Sequence, residues 1–175
     1  MWLNGKSFGR KTIAKNSHAR WTVPYAPGVL EARGYKDGKV ALTGRRETTG
    51  EPSKLSLNPD RSKLAADGED VSTVALEVRD AQGRIVPTAS DLVRFSLVGP
   101  GKIIGVGNGD PSSREADKPD AIASATRKAF NGLCMVFLQS TKSPGAIRIE
   151  ASAEGLEAVS VVIRSEAATP RPAAI

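Results

Sequence analysis

The sequence holds one cysteine, one histidine and two tryptophans in 175 residues. The single thiol, Cys134, excludes an internal disulfide. It lies in the apolar run Leu133-Cys134-Met135-Val136-Phe137-Leu138 and reads as a buried structural group. The single histidine, His18, sits beside Arg20 with no cysteine near it, which argues against a metal cluster or a Ser-His-Asp triad. No segment approaches the ~20 apolar residues that span a bilayer. The opening Met1-Trp2-Leu3-Asn4-Gly5-Lys6 has neither the basic start nor the long apolar stretch of a signal peptide. No membrane partner is expected.

Seventeen glycines and eleven prolines punctuate the chain between short apolar runs, a composition of turns and strands rather than helices, so the expected class is all-β. The net charge is +6, and it is uneven. Residues 1–50 hold ten Lys/Arg against three Asp/Glu (10 − 3 = +7), and the remainder fifteen against sixteen (15 − 16 = −1). The basic residues alternate with apolar ones, as solvated strand faces do, so nucleic acid is the disfavoured partner.

Turn chemistry orders the strands. Asn4-Gly5 suits a type I′ hairpin between Trp2-Leu3 and Phe8-Gly9-Arg10, and Asp37-Gly38 a second between Val29–Tyr35 and Val40–Thr43. Arg20-Trp21-Thr22-Val23 alternates as a further strand. Thr48 to Pro52 reads as turn-rich linker, which places a partial first unit at 1–48, a linker at 49–54 and a second unit at 55–165. Within the latter, Leu55-Ser56-Leu57 begins the pattern. The core-facing sets are then Val74, Leu76 and Val78; Val93, Phe95 and Leu97; Ile147, Ile149 and Ala151; and Val159, Val161 and Ile163. Leu133 to Leu138, apolar on both faces, reads as a strand covered on two sides. About seven turn-separated strands in some hundred residues predict an immunoglobulin-like sandwich with Greek-key connections. Residues 166–175 read as a disordered tail.

Chemistry-bearing residues are few. Asn108, Asp110, Glu115, Asp117 and Asp120 crowd a glycine-rich stretch with oxygen ligands, so they are candidates for a cation site or a loop facing an active site. Their spacing fits no EF-hand, and a solvated turn-rich loop is the plainer reading. Trp2, Trp21, Tyr25 and Tyr35 are candidates for stacking on sugar rings if they lie exposed together, and core residues otherwise. Gly99-Pro100-Gly101 through Gly107 lacks the Lys-Ser/Thr and helix of a phosphate loop. No catalytic residue, resident metal or cofactor is assigned.

The order of motifs then matters. Asn4 to Lys11 followed by Trp21-Thr22-Val23-Pro24-Tyr25-Ala26-Pro27-Gly28-Val29-Leu30 resembles a domain near the C-terminus of glycoside hydrolase family 2 enzymes. Asp60-Arg61, Leu64 to Gly68, Asp80 to Gly83, Gly105-Val106-Gly107-Asn108-Gly109-Asp110-Pro111 and Ala129-Phe130-Asn131-Gly132 are similar to the last immunoglobulin-like domain of β-galactosidases in that family. The resemblance spans about residues 2–165. It implies two immunoglobulin-like sandwich units, the first incomplete at its N-terminus because the family's sandwich begins upstream of Trp2. An exposed edge of this kind invites self-association and low stability over residues 1–46.

The resemblance further implies a bacterial accessory region that packs on the catalytic portion of a parent hydrolase, whose barrel supplies the carboxylate pair about 5–5.5 Å apart that retaining hydrolysis needs. The alternative is a stand-alone module binding carbohydrate or protein. Localisation follows the parent: periplasmic or secreted if it carries a signal peptide, cytoplasmic otherwise.

Overall fold

A computed structural model describes residues 1–169, and it divides at Thr48/Thr49 into two compact units. All thirteen elements among the described residues are strands.

The first unit contains β1 (Trp2–Leu3), β2 (Lys6–Ser7), β3 (Val29–Lys36) and β4 (Lys39–Glu47), in the antiparallel order β2-β1-β3-β4. Both expected hairpins form. Asn4 and Gly5 stand at φ 51° and 81°, and Asp37 and Gly38 at 51° and 78°, the left-handed pairs that a type I′ turn demands. The first return strand is Lys6–Ser7, not Phe8–Arg10. Arg20–Val23 is no strand either: residues 8–28 carry no strand, and Pro24 and Pro27 remove the ladder donors that would continue one.

Asn4 pins the end of that segment. Its Nδ2 donates to the Pro27 carbonyl at 2.8 Å, and its Oδ1 accepts from the Val29 N–H at 2.7 Å. Gly28, at φ 130°, fits beneath it, since a Cβ there would fall 1.9 Å from Asn4 Oδ1.

Register sets the two faces of this sheet. Leu3 opposes Leu30, Ala32 opposes Gly44 and Gly34 opposes Leu42, while Trp2, Glu31 and Arg33 share the other face. No residue of this unit is buried, and Leu42 on the apolar face is 72% exposed. What stands here is one sheet, not a closed sandwich.

The second unit has nine strands: β5 (Lys54–Pro59), β6 (Lys63–Ala65), β7 (Val71–Arg79), β8 (Leu92–Val98), β9 (Gly101–Gly107), β10 (Ser124–Lys128), β11 (Leu133–Ser140), β12 (Gly145–Ser152) and β13 (Val159–Glu166). They form sheets β5-β7-β11-β9 and β10-β8-β12-β13-β6, which match the two sheets of a constant-type immunoglobulin domain with an added strand on the second sheet at each edge. The two added strands, β6 and β10, escape the alternation rule. β6 has three residues and pairs parallel with β13, while β10 carries an arginine on its inward face.

The core lies between these sheets. Val74, Leu76, Val78, Val93, Phe95, Leu97, Ile147, Ile149, Ala151 and Ile163 are buried, and Val159 and Val161 pack partly buried against them. Cys134 is buried as well. β11 is interior to its sheet but covered on one face only: Cys134, Val136 and Leu138 point inward, and Leu133 is 42% exposed.

The segment read as a linker is held to this unit. The Gly50 N–H donates to Asp80 Oδ2 at 2.9 Å, the Ser53 N–H to the Arg79 carbonyl at 2.9 Å, and Lys54 already belongs to β5. At the far end Glu166, read as tail, closes β13, where Lys63 Nζ meets its carboxylate at 2.8 Å. Of the rest of that tail, residues 170–175 lie outside the described residues.

Candidate functional site

The acidic stretch 108–120 connects β9 to β10, and the structure gathers it around a residue that sequence patterning overlooks. Arg127 sits on the inward face of β10 between Ala125 and Ala129, and only 4% of it is exposed. Its Nη1 donates to Asp117 Oδ1 at 2.8 Å and to the Glu115 carbonyl at 3.1 Å, and its Nη2 to Asn108 Oδ1 at 3.1 Å. Its Nε lies 3.5 Å from Glu115 Oε2 without hydrogen-bond geometry. The return contacts come from the strand itself. The Lys128 N–H donates to Glu115 Oε2 at 3.1 Å and Asn108 Nδ2 to the Lys128 carbonyl at 3.0 Å.

Of the five residues named in this stretch, Asn108, Glu115 and Asp117 converge on Arg127, and Asp120 is exposed. Asp110 does not; its Oδ1 accepts from the Ser112 N–H and hydroxyl at 2.8 and 2.7 Å, which hold its carboxyl below the usual range. The positive charge at the centre of this cluster is thus a guanidinium. Among the described residues no group of three or more His, Cys, Asp or Glu side chains is gathered as a metal site. Beside it a depression of about 500 Å³ is bordered by Asn108, Asp110, Asp117, Arg127, Ile104 and Phe137. The signal that would have revealed Arg127 is the run Ala125-Thr126-Arg127-Lys128-Ala129, in which an arginine falls in step with two small residues. A charge at an inward position implies carboxylates brought to meet it.

The aromatic candidates behave differently. None is buried; Tyr25 is 81% exposed and stands apart. Trp2, Trp21 and Tyr35 border one pocket of about 290 Å³ in the first unit. Each ring carries a cation: the Arg33 guanidinium is 5.0 Å from the Trp2 ring centre, Lys11 Nζ 5.3 Å from Trp21 and the Arg10 guanidinium 4.6 Å from Tyr35. His18 remains exposed and accepts from Arg20 Nε at 3.2 Å. The glycine-rich stretch is a turn and a strand. Gly99, at φ 113°, lets the backbone approach β12 so closely that a Cβ would fall 2.1 Å from the Ala146 carbonyl oxygen.

Two packed sheets, antiparallel but for the β6–β13 pair, with a small antiparallel sheet before them, define a β-sandwich protein of the immunoglobulin type. Residues 55–162 match the model of the glycoside hydrolase family 2 C-terminal domain 5, and residues 1–42 match a model described only as a domain of unknown function. The chain belongs to the first of these families. A relative named beta-galactosidase from Bacteroides ovatus is 38% identical over 95% of this chain and 19% of its own length. A relative named beta-glucuronidase from Formosa agariphila is 30% identical over 94% of this chain and 16% of its own. A crystal structure of a glycosyl hydrolase family 2 member from Bacteroides cellulosilyticus superposes with a TM-score of 0.86 at 35% identity, covering 94% of this chain and 21% of that one. The chain therefore spans about a fifth of the length of the relatives it matches.

Proposed function

We propose that this chain serves as the non-catalytic C-terminal region of a larger bacterial hydrolase resembling β-galactosidase, packing on the catalytic portion and stabilising it. The observation that carries the reading is the mismatch of coverage: nearly all of this chain aligns with about a fifth of each relative. The hydrolysis of O-glycosidic bonds then belongs to the remaining four-fifths. One face of the first unit's sheet supports docking of this kind, because Leu3, Leu30, Ala32 and Leu42 lie on it with glycines, bordered by Lys6 opposite Leu3 and Arg46 opposite Leu30. Leu42 on that face is 72% exposed, and an exposed apolar cluster rimmed by charge is the kind of surface that meets another protein surface.

Deleting the matching fifth from the Bacteroides ovatus relative and fusing this chain in its place tests the proposal. The deletion is expected to lower the melting temperature of the catalytic remainder, and the fusion to restore most of the loss. A remainder that melts as the whole enzyme does would overturn the accessory role.

A further inference from the structure

The pocket of the first unit holds a combination that the accessory role does not use. Its wall brings three aromatic rings, Trp2, Trp21 and Tyr35, against three cations, Arg10, Lys11 and Arg33. The cations are unequally occupied. Arg33 is paired with Glu31, and Lys11 Nζ donates to the Arg20 carbonyl at 2.5 Å. Arg10, among the described residues, meets the Tyr35 ring and no carboxylate. The indole N–H of Trp21 is shielded from solvent and has no acceptor, and a buried donor without a partner is the group a bound oxygen would satisfy. Lys11 lies over the face of that ring on an exposed side chain, so an anion that draws its ammonium away frees the ring face.

We infer that this pocket binds a saccharide bearing an anionic group, a ring carboxylate or a sulfate ester. The Trp21 face so freed accepts the C–H face of a sugar ring. Arg10 and Lys11 take the anion, Arg10 by the planar fork that suits carboxylate and sulfate geometry, and the Trp21 N–H takes a ring or hydroxyl oxygen. At about 290 Å³ the pocket stands at the small end of ligand sites, which start near about 300 Å³, so it admits one end of a chain rather than a long stretch. A neutral galactoside offers Arg10 and Lys11 no anion and leaves the Trp21 face covered. A nucleic acid needs an extended basic track instead, with a steep salt dependence. The inference is independent of which glycoside the parent enzyme cleaves.

The test is a titration of the full chain with digalacturonate, with neutral digalactose and with inorganic sulfate, followed by tryptophan fluorescence and by calorimetry. Digalacturonate is expected to saturate the signal and to bind at least tenfold tighter than digalactose or sulfate. Arg10→Met and Trp21→Phe should each weaken it about tenfold while the melting temperature stays where it was, and Arg10→Lys, which keeps the charge without the fork, should recover only part of the loss. Equal response to the neutral disaccharide, a response reproduced by sulfate alone, no saturable response, variants that bind like the parent chain, or tighter capture of a single-stranded oligonucleotide would each overturn the inference.

Discussion

Replacing Arg127 with Met asks how much of the second unit rests on the charge cluster at the β9–β10 loop. Met matches the length of the side chain and removes the guanidinium. Three hydrogen bonds disappear, to Asp117, the Glu115 carbonyl and Asn108. Bonds to a charged group contribute about 1.5–3 kcal/mol each when both partners are withdrawn from water, but Asp117 is 81% exposed on its side chain and Glu115 34%. Water resolvates both carboxylates, so the penalty of about 3–5 kcal/mol for stranding a buried charge does not arise. The loss that survives is that of the Glu115 carbonyl and Asn108, offset in part by the thioether packing between Ala125 and Ala129. We expect about 2 kcal/mol from urea denaturation, or roughly 6–12 °C in melting temperature for a unit of this size. Arg127→Lys keeps the charge with one nitrogen in place of three and should lose about half as much. Hydrogen exchange locates the effect: the amides of Val106, which donates to the Asp117 carbonyl, and of Lys128 should exchange faster, with those of β7 following only the global change. A variant as stable as the parent, with unaltered exchange at those amides, would refute the reasoning.

Four further outcomes follow from other parts of the structure. Burial pushes the Cys134 thiol up to about 12, so it should resist thiol reagents at pH 8 and react at once in urea; rapid labelling of the native chain would contradict its placement. Burial by itself raises the Asp80 carboxyl, yet bonds from the Gly50 and Arg84 N–H groups and the Arg84 side chain hold it at about 2 against an ordinary 3.8. Its contribution is therefore complete above about pH 4 and is lost as pH falls toward 2. Asp80→Asn should lower the urea midpoint at pH 7 and flatten its fall across that acid window. Gly83 and Gly132 share φ near 80°, at 82° and 78°, but a Cβ on Gly132 would meet the Val86 carbonyl oxygen at 2.3 Å and one on Gly83 meets nothing. Gly83→Ala should cost about 1–2 kcal/mol from the left-handed backbone and Gly132→Ala about 1–3 kcal/mol more from the clash; equal costs would sink the packing argument. Finally, residues 1–46, none of them buried as a whole residue, should exchange amide hydrogens well before the second unit does, and equal protection would count against that.

What the sequence disclosed and what it withheld divide along one physical line. Alternation reports a strand whose inward residues are apolar, so Val74-Leu76-Val78, Val93-Phe95-Leu97 and Ile147-Ile149-Ala151 were readable before any coordinates, as were the Asn4-Gly5 and Asp37-Gly38 turns that need positive φ. It fails where the inward residue is charged or the strand is short. β10 presents Arg127 inward, and β6 holds only Lys63, Leu64 and Ala65, so both escaped, and with them the centre of the acidic loop. Alternation also produced a false strand at Arg20–Val23, because a Trp and a Val two residues apart look alike whether they enter a core or, as Trp21 does, border a half-open pocket under Lys11. The same limit governs the candidate sites. Residue type marked Asn108, Glu115 and Asp117 as ligands in waiting, but what a carboxylate is for depends on the cation that reaches it, and that cation stands on β10, in the sheet opposite β9. Trp2 and Tyr35, 33 positions apart in the chain, come together because β1 pairs with β3, and Trp21 joins them from the strandless segment 8–28. Sites made by pairing are visible to a sequence reader as residue types and become chemistry only once the register is known.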